Sequence, residues 1–291
     1  MTFSTKATIA SFGGKLVKLS HASSSTGTDM AVNVYLPPQA LAGAKVPVLI
    51  YLSGLTCSPE NCSEKGFFQH AASARGLAIV YADTSPRGLS IPGANDHWDF
   101  GEAASFYVNA TRPPFADNYR METYITSELP SSLVADAEYG KYLDGSRVSI
   151  TGHSMGGHGA LSLYLKHPEL YKSVSAFAPI ANPTQCPWGV KAFSGYLGDE
   201  DKEAWKQHDA TELIKGWKDK TESLKMLVDV GTGDKFYIEK QLLPENLEKA
   251  VKDAGLTGFE LRYQPDYDHS YYFMASFSDD HVNHAAKYLG L

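Results

Sequence analysis

No apolar run among these 291 residues approaches the roughly 20 needed to cross a bilayer, so no membrane-spanning segment is expected. Lys and Arg never form a run longer than two residues, and the formal net charge is −7. Nucleic acid and anionic membrane surfaces are held by clustered cations, so neither is expected as a partner. Small anionic ligands remain open, because they respond to local rather than total charge. Cysteine is scarce and odd in number, at Cys57, Cys62 and Cys186. A secreted chain would more often pair them, so a reduced compartment is the better reading. Cys57 and Cys62 lack a second Cys/His pair at zinc-site spacing, and no metal is expected. The opening Met1-Thr2-Phe3-Ser4-Thr5-Lys6 lacks the charged-then-apolar pattern of a leader, and Leu289-Gly290-Leu291 is not the peroxisomal Ser-Lys-Leu. The cytoplasm is the expected location.

What is present is ordinary for a globular chain: 43% hydrophobic and 20% charged residues. Without repeats or a Pro/Gly/Ser-rich linker, one domain over 1–291 is the simplest account. Two antiparallel strands are expected first, Lys15 to His21 and Ala31 to Leu36, joined by the turn-rich Ser23 to Thr28. Buried runs follow at Val46–Leu52, Leu77–Tyr81, Val148–Thr151, Ser173–Phe177, Met226–Val230 and Phe259–Tyr263. Several are apolar nearly throughout, as expected when helices cover both sheet faces. Helices are expected near 60–75, 155–167, 238–254 and 271–288. The fold class is α/β: a mostly parallel, doubly wound sheet with antiparallel N-terminal strands. Stretches 84–120 and 182–222 break the alternation and are expected as irregular pocket-rim segments.

Gly152-His153-Ser154-Met155-Gly156 follows the run Val148–Thr151 and opens the expected helix at Met155. A Gly-x-Ser-x-Gly sequence alone is weak; on a strand-to-helix turn it is the nucleophile elbow of an α/β-hydrolase. The turn is strained, and residues two positions either side of the serine approach so closely that glycine is required. Ser154 is therefore the expected nucleophile.

A serine hydroxyl needs a histidine to take its proton and an acid to orient that histidine. In this fold both follow the serine, acid first. His269 lies in the loop Gln264-Pro265-Asp266-Tyr267-Asp268-His269-Ser270 between the last strand and last helix, and is the expected base. His281 and His284 read as surface residues at helical spacing, and His208 lies in the inserted region. His153 and His158 flank the elbow, with side chains expected to point away from the serine. Asp234 ends Asp229-Val230-Gly231-Thr232-Gly233-Asp234, where two glycines let the chain turn, and is the expected acid. Asp199 and Asp201 read as a solvated turn, and Asp268 is too close to His269 in sequence to fold back on it. The oxyanion hole needs two backbone N–H donors: Met155 after the serine, and Leu55 in Ser53-Gly54-Leu55-Thr56-Cys57, where Gly54 admits the substrate.

Longer blocks carry a more specific likeness. Leu52-Ser53-Gly54-Leu55-Thr56-Cys57, Trp98-Asp99-Phe100-Gly101, Asn118-Tyr119-Arg120-Met121, the elbow extended to Leu161, Pro187-Trp188-Gly189 and Tyr267-Asp268-His269-Ser270-Tyr271-Tyr272-Phe273 resemble the S-formylglutathione hydrolase (esterase D) family. The resemblance runs in order from about residue 10 to the terminus. It implies a Ser-Asp-His triad at Ser154, Asp234 and His269, no cofactor, often a homodimer, and a small thioester of formate and glutathione as substrate. Cys62 and Asn95-Asp96-His97 depart from the family pattern without touching the triad. Cys57 reads either as a pocket-border thiol or as a small buried residue. Trp98 and Trp188 are candidate pocket residues, while Tyr271-Tyr272-Phe273 reads as the core face of the last helix. The alternative is a broad short-chain carboxylesterase using the same residues; a non-catalytic binding module would not need a complete triad.

Overall fold

The computed structural model describes residues 2–217 and 223–291. Among them nine strands form one sheet: β1 Ser4–Ser11, β2 Gly14–Ala22, β3 Asp29–Leu36, β4 Val46–Leu52, β5 Ala78–Ala82, β6 Leu143–His153, β7 Val174–Phe177, β8 Met226–Gly231 and β9 Phe259–Gln264. Their order is β1-β2-β3-β5-β4-β6-β7-β8-β9. Strands β1, β2 and β3 pair antiparallel, as do β3 and β5; every pair from β5 onward to β9 is parallel. The expected architecture is present: β4 matches at both ends, and the other strand ends are displaced by at most five residues.

Every residue of β4, β5, β7 and β8 is buried. That uniform burial explains their continuous apolar sequence, since helices pack on both faces. β1 was not expected. Its sequence Ser-Thr-Lys-Ala-Thr-Ile-Ala-Ser carries no alternating apolar pattern, because the strand is an exposed edge held by the β2 ladder.

Several helical expectations are corrected. The 60–75 segment is two helices, Pro59–Lys65 and Phe68–Arg75, broken at Gly66-Phe67, where Phe67 takes φ 58°. The 238–254 segment is a short turn Lys235–Ile238 and a helix Pro244–Ala254, since Pro244 fits the first turn of a helix better than its interior. The 271–288 segment divides into Tyr271–Ser276 and Ser278–Leu289. A helical stretch from Met121 to Ala135, with a π turn at Tyr124–Glu128, had no counterpart in the sequence reading.

The rim segments differ from one another. Residues 84–120 are irregular as expected, with isolated bridges such as His97 to Phe100 and Asn109 to Arg120. The 182–222 stretch is not irregular: it holds helices Pro187–Leu197 and Ala210–Lys215. Its last five positions, 218–222, lie outside the described residues.

Strand order sets the position of the site. β4 and β6 are neighbours, but the connection after β4 runs to β5 on one side and that after β6 runs to β7 on the other. Such a switch point opens a crevice at the carboxyl ends of parallel strands. There Leu52 of β4 pairs with Gly152 of β6, so the loop after β4 and the turn after β6 meet by register.

Candidate active site

Ser154 occupies the turn between β6 and the helix Met155–Lys166, with φ 55° and ψ −121°. A non-glycine residue there is strained, by about 1–3 kcal/mol, and the flanking glycines show why the turn tolerates it. A Cβ on Gly156 would run into the Leu52 carbonyl, and one on Gly152 into the Gly156 carbonyl. Gly157 and Gly159 let the helix lie against Pro179 and the Tyr107 ring. The Ser154 N–H donates to the Phe177 carbonyl at 2.9 Å, tying the turn to β7.

Asp234 is fully buried at the N-terminus of Lys235–Ile238 and divides its oxygens. Oδ1 accepts from the Phe236 and Tyr237 N–H groups at 2.8 and 3.3 Å; Oδ2 meets His269 Nδ1 at 2.5 Å. The two glycines before it serve close approach. A Cβ on Gly231 would strike the Tyr267 carbonyl, which accepts the Gly233 N–H at 2.9 Å. The acid loop and the histidine loop are thus fastened together by backbone. The Phe236 ring stands edge-on to His269 at 4.9 Å.

Ser154 and His269 line one cavity of about 380 Å³, with Leu55, Cys57, Trp98 and Trp188 also in its wall. All the residues singled out in the sequence except Asp234 and Met155 thus border one space; Asp234 lies behind His269, and Met155 is fully buried beneath the serine. Cys57 satisfies both of its readings, being 7% exposed yet in the cavity wall, and burial raises its thiol pKa. Trp188 is buried and packs on Phe236 at 4.7 Å; Trp98 is 56% exposed at the rim, edge-on to Trp188 at 5.7 Å. The rivals are placed elsewhere: Asp268 accepts from the Ser270 N–H, and Asp201 caps Lys202–Trp205.

Three expectations are corrected. The His153 side chain does not point away from the site: it lines the cavity, with Nε2 3.1 Å from the Gly54 nitrogen. His281 is not a surface residue. It is fully buried, stacked on Phe177 at 3.6 Å, with Nε2 3.0 Å from Asp229 Oδ2; His284, partly buried, bonds the Lys225 carbonyl. Asp229 also receives Arg262 and Gln264, so this second Asp–His pair is neutralised inside the fold, and neither residue lines the cavity. Lastly, Tyr271 lines the cavity while Phe273 is in the core and Tyr272 is exposed; only Phe273 fits the core-face reading.

The helix Ser278–Leu289 carried a signal that could have placed His281. Val282, Ala285, Ala286 and Leu289 form its buried stripe, and His281 stands one turn before Ala285 on that stripe.

Residues 23–284 match the family named Esterase. The chain is 50% identical over 278 residues to the S-formylglutathione hydrolase of Mus musculus, covering 96% of this chain and 95% of that one. It is 48% identical over 280 residues to that of Arabidopsis thaliana, with the same coverage. A solved structure of an S-formylglutathione hydrolase from Agrobacterium tumefaciens superposes over 100% of both chains with a TM-score of 0.89 and 41% identity.

Proposed function

This chain belongs to the S-formylglutathione hydrolases of the esterase family, with their α/β-hydrolase fold, and from that membership we propose that it hydrolyses S-formylglutathione through a formyl-serine on Ser154. The observation that carries the residue assignment is the shared cavity: a strained serine and a histidine whose Nδ1 is held by a buried aspartate.

Asp234 fixes the His269 tautomer, leaving Nε2 to take the Ser154 proton. Oγ attacks the formyl carbon, and the oxyanion is received by the Leu55 and Met155 N–H groups. The C–S bond breaks and glutathione leaves either as thiol, taking the proton from His269, or as thiolate, in which case His269 releases that proton to solvent. A thiolate leaves more readily than an alkoxide, so acid assistance matters less than for an ester. His269 then activates a water, which attacks the formyl-serine, and formate departs with Ser154 reprotonated. The acyl side need hold only hydrogen, and Trp188 beside Phe236 supports a restricted acyl site. Three unpaired cysteines support a cytoplasmic setting. The homodimer rests on the family resemblance, and a solution mass equal to one chain would oppose it.

Steady-state rates on S-formylglutathione and on a short-chain aryl ester test the reading, with Ser154→Ala as control. S-formylglutathione is expected to be the faster substrate and Ser154→Ala inactive on both. A faster ester points to the broad carboxylesterase, and turnover by Ser154→Ala overturns the nucleophile.

A further inference from the structure

We propose that His153 is a positioning residue for this reaction: its imidazole, held by Tyr51, fixes the loop after β4 so that Leu55 rather than Gly54 presents its N–H to the acyl oxygen. The inference rests on Ser154 being the nucleophile.

His153 ends β6 and precedes Ser154, yet its ring crosses to the neighbouring loop, where Nε2 lies 3.1 Å from the Gly54 nitrogen. The other nitrogen, Nδ1, is 2.9 Å from the Tyr51 hydroxyl, and that hydroxyl is 3.6 Å from Met274 Sδ. The direction of the chain follows from its ends. A backbone N–H can only donate, so Nε2 accepts and the ring proton sits on Nδ1. Nδ1–H then donates to Tyr51, whose own proton is left for the sulfur.

The ring is thereby committed to one tautomer, and burial keeps it neutral by lowering its pKa to about 3. A protonated ring, or the opposite tautomer, would set N–H against N–H at Gly54. The other groups facing the ring are the Cys57 thiol, 3.8 Å from Nε2, the Tyr271 ring edge and, across the cavity, His269.

The Gly54 N–H is therefore occupied. Among the described residues no backbone carbonyl accepts the next N–H, that of Leu55, whereas those of Thr56 and Cys57 donate to the Ala103 and Gly54 carbonyls. Packing closes the arrangement: a Cβ on Gly54 would lie 2.8 Å from His153 Nε2 and 3.0 Å from Ser154 Cβ. The loop touches both elbow residues at once, so an ångström of movement there would misaim a donor at the nucleophile.

The tests are kinetic and spectroscopic. His153→Phe removes the acceptor and keeps the bulk; His153→Gln offers an Oε1 within reach of Gly54. Loss of one oxyanion donor lowers kcat about 100-fold or more, so His153→Phe is expected to lose at least about tenfold in kcat, with KM within about twofold. His153→Gln is expected to recover most of that loss. Nitrogen-15 NMR should show the His153 proton on Nδ1, unchanged from pH 8 to 5.5. Tyr51→Phe leaves the Nδ1–H without its acceptor, so the ring is held less firmly and kcat should fall severalfold while the proton stays on Nδ1.

Equal impairment of the Gln and Phe variants at unchanged Tm, full kcat in His153→Phe, or a proton on Nε2 would each overturn the proposal. Should His153→Phe not fold, Tyr51→Phe and the tautomer decide. Wild-type enzyme that fails on S-formylglutathione but cleaves an aryl ester counts against the substrate alone, and the variants are then read on the ester.

Discussion

Asp234 does two things with one carboxylate, and a single substitution separates them. Asn at this position retains an Oδ1 for the Phe236 and Tyr237 N–H groups, so the helix cap survives. What faces His269 Nδ1 is then an amide N–H, which forces the imidazole into the wrong tautomer. Asp234→Asn is expected to lower kcat by about 10³–10⁴-fold with Tm changed by only a few degrees; a loss under tenfold would remove Asp234 from the triad. That Ser154, Asp234 and His269 come together was legible in the sequence, because their order and flanking glycines suit an elbow turn followed by two facing loops. The geometry of His153 was not. Whether a side chain beside the elbow turns toward the next loop depends on the Gly54 N–H, which is near only because Leu52 pairs with Gly152.

At the scale of elements, the loop after β4 is held from its far side by the irregular 84–120 segment. Arg87 donates to the Cys57 carbonyl at 2.8 Å, and Thr84 Oγ1 donates to the same carbonyl at 2.5 Å. Arg87 also embraces Asp83, which is 2% exposed, with contacts of 2.8 to 3.0 Å. Replacing Arg87 by Met leaves a carboxylate buried without its partner, a loss typically of 3–5 kcal/mol. Arg87 is itself one-third exposed, so Arg87→Met is expected to cost about 2–3 kcal/mol, read from urea midpoints at pH 7, and to reduce kcat by loosening the loop. Unchanged stability would mean that water reaches Asp83. This segment was read as irregular from sequence because its order comes from side chains reaching the neighbouring loop, not from periodic backbone. The expectation of irregular chain fails at Pro187–Leu197, which is a helix. Its Trp188, Ala192, Phe193 and Tyr196 are buried at helical spacing, but Gly189 and Gly195 mask the pattern. A Cβ on either would strike Pro183 or Phe100, so these glycines mark close packing where they suggested a loop.

Across the whole molecule, histidines are a larger fraction of the buried polar groups than catalysis requires. Burial lowers His153 and His158 to about 3, and His208 and His284 to about 4. All four are therefore neutral in the folded chain at pH 5, whereas in the unfolded chain, with an ordinary pKa near 6.5, they are almost fully protonated. The unfolded state then binds more protons, and stability falls with falling pH, by about 1.4 kcal/mol per pH unit for each such proton. The window opens near pH 6.5, where unfolded histidine begins to charge, and closes at about 4 for His208 and His284 and about 3 for His153 and His158, where the folded groups begin to follow. Asp144, held at about 2 chiefly by Ser146 and Arg147, acts in the same direction mainly below pH 4, so the histidine range stands apart from it. Tm is expected to be nearly flat from pH 8 to 7 and to fall steeply from 6.5 to 4.5. Calorimetry at closely spaced pH values checks this. A flat Tm down to pH 4.5 would mean that these imidazoles are solvated in the folded protein, and would contradict the burial that holds His153 against Gly54.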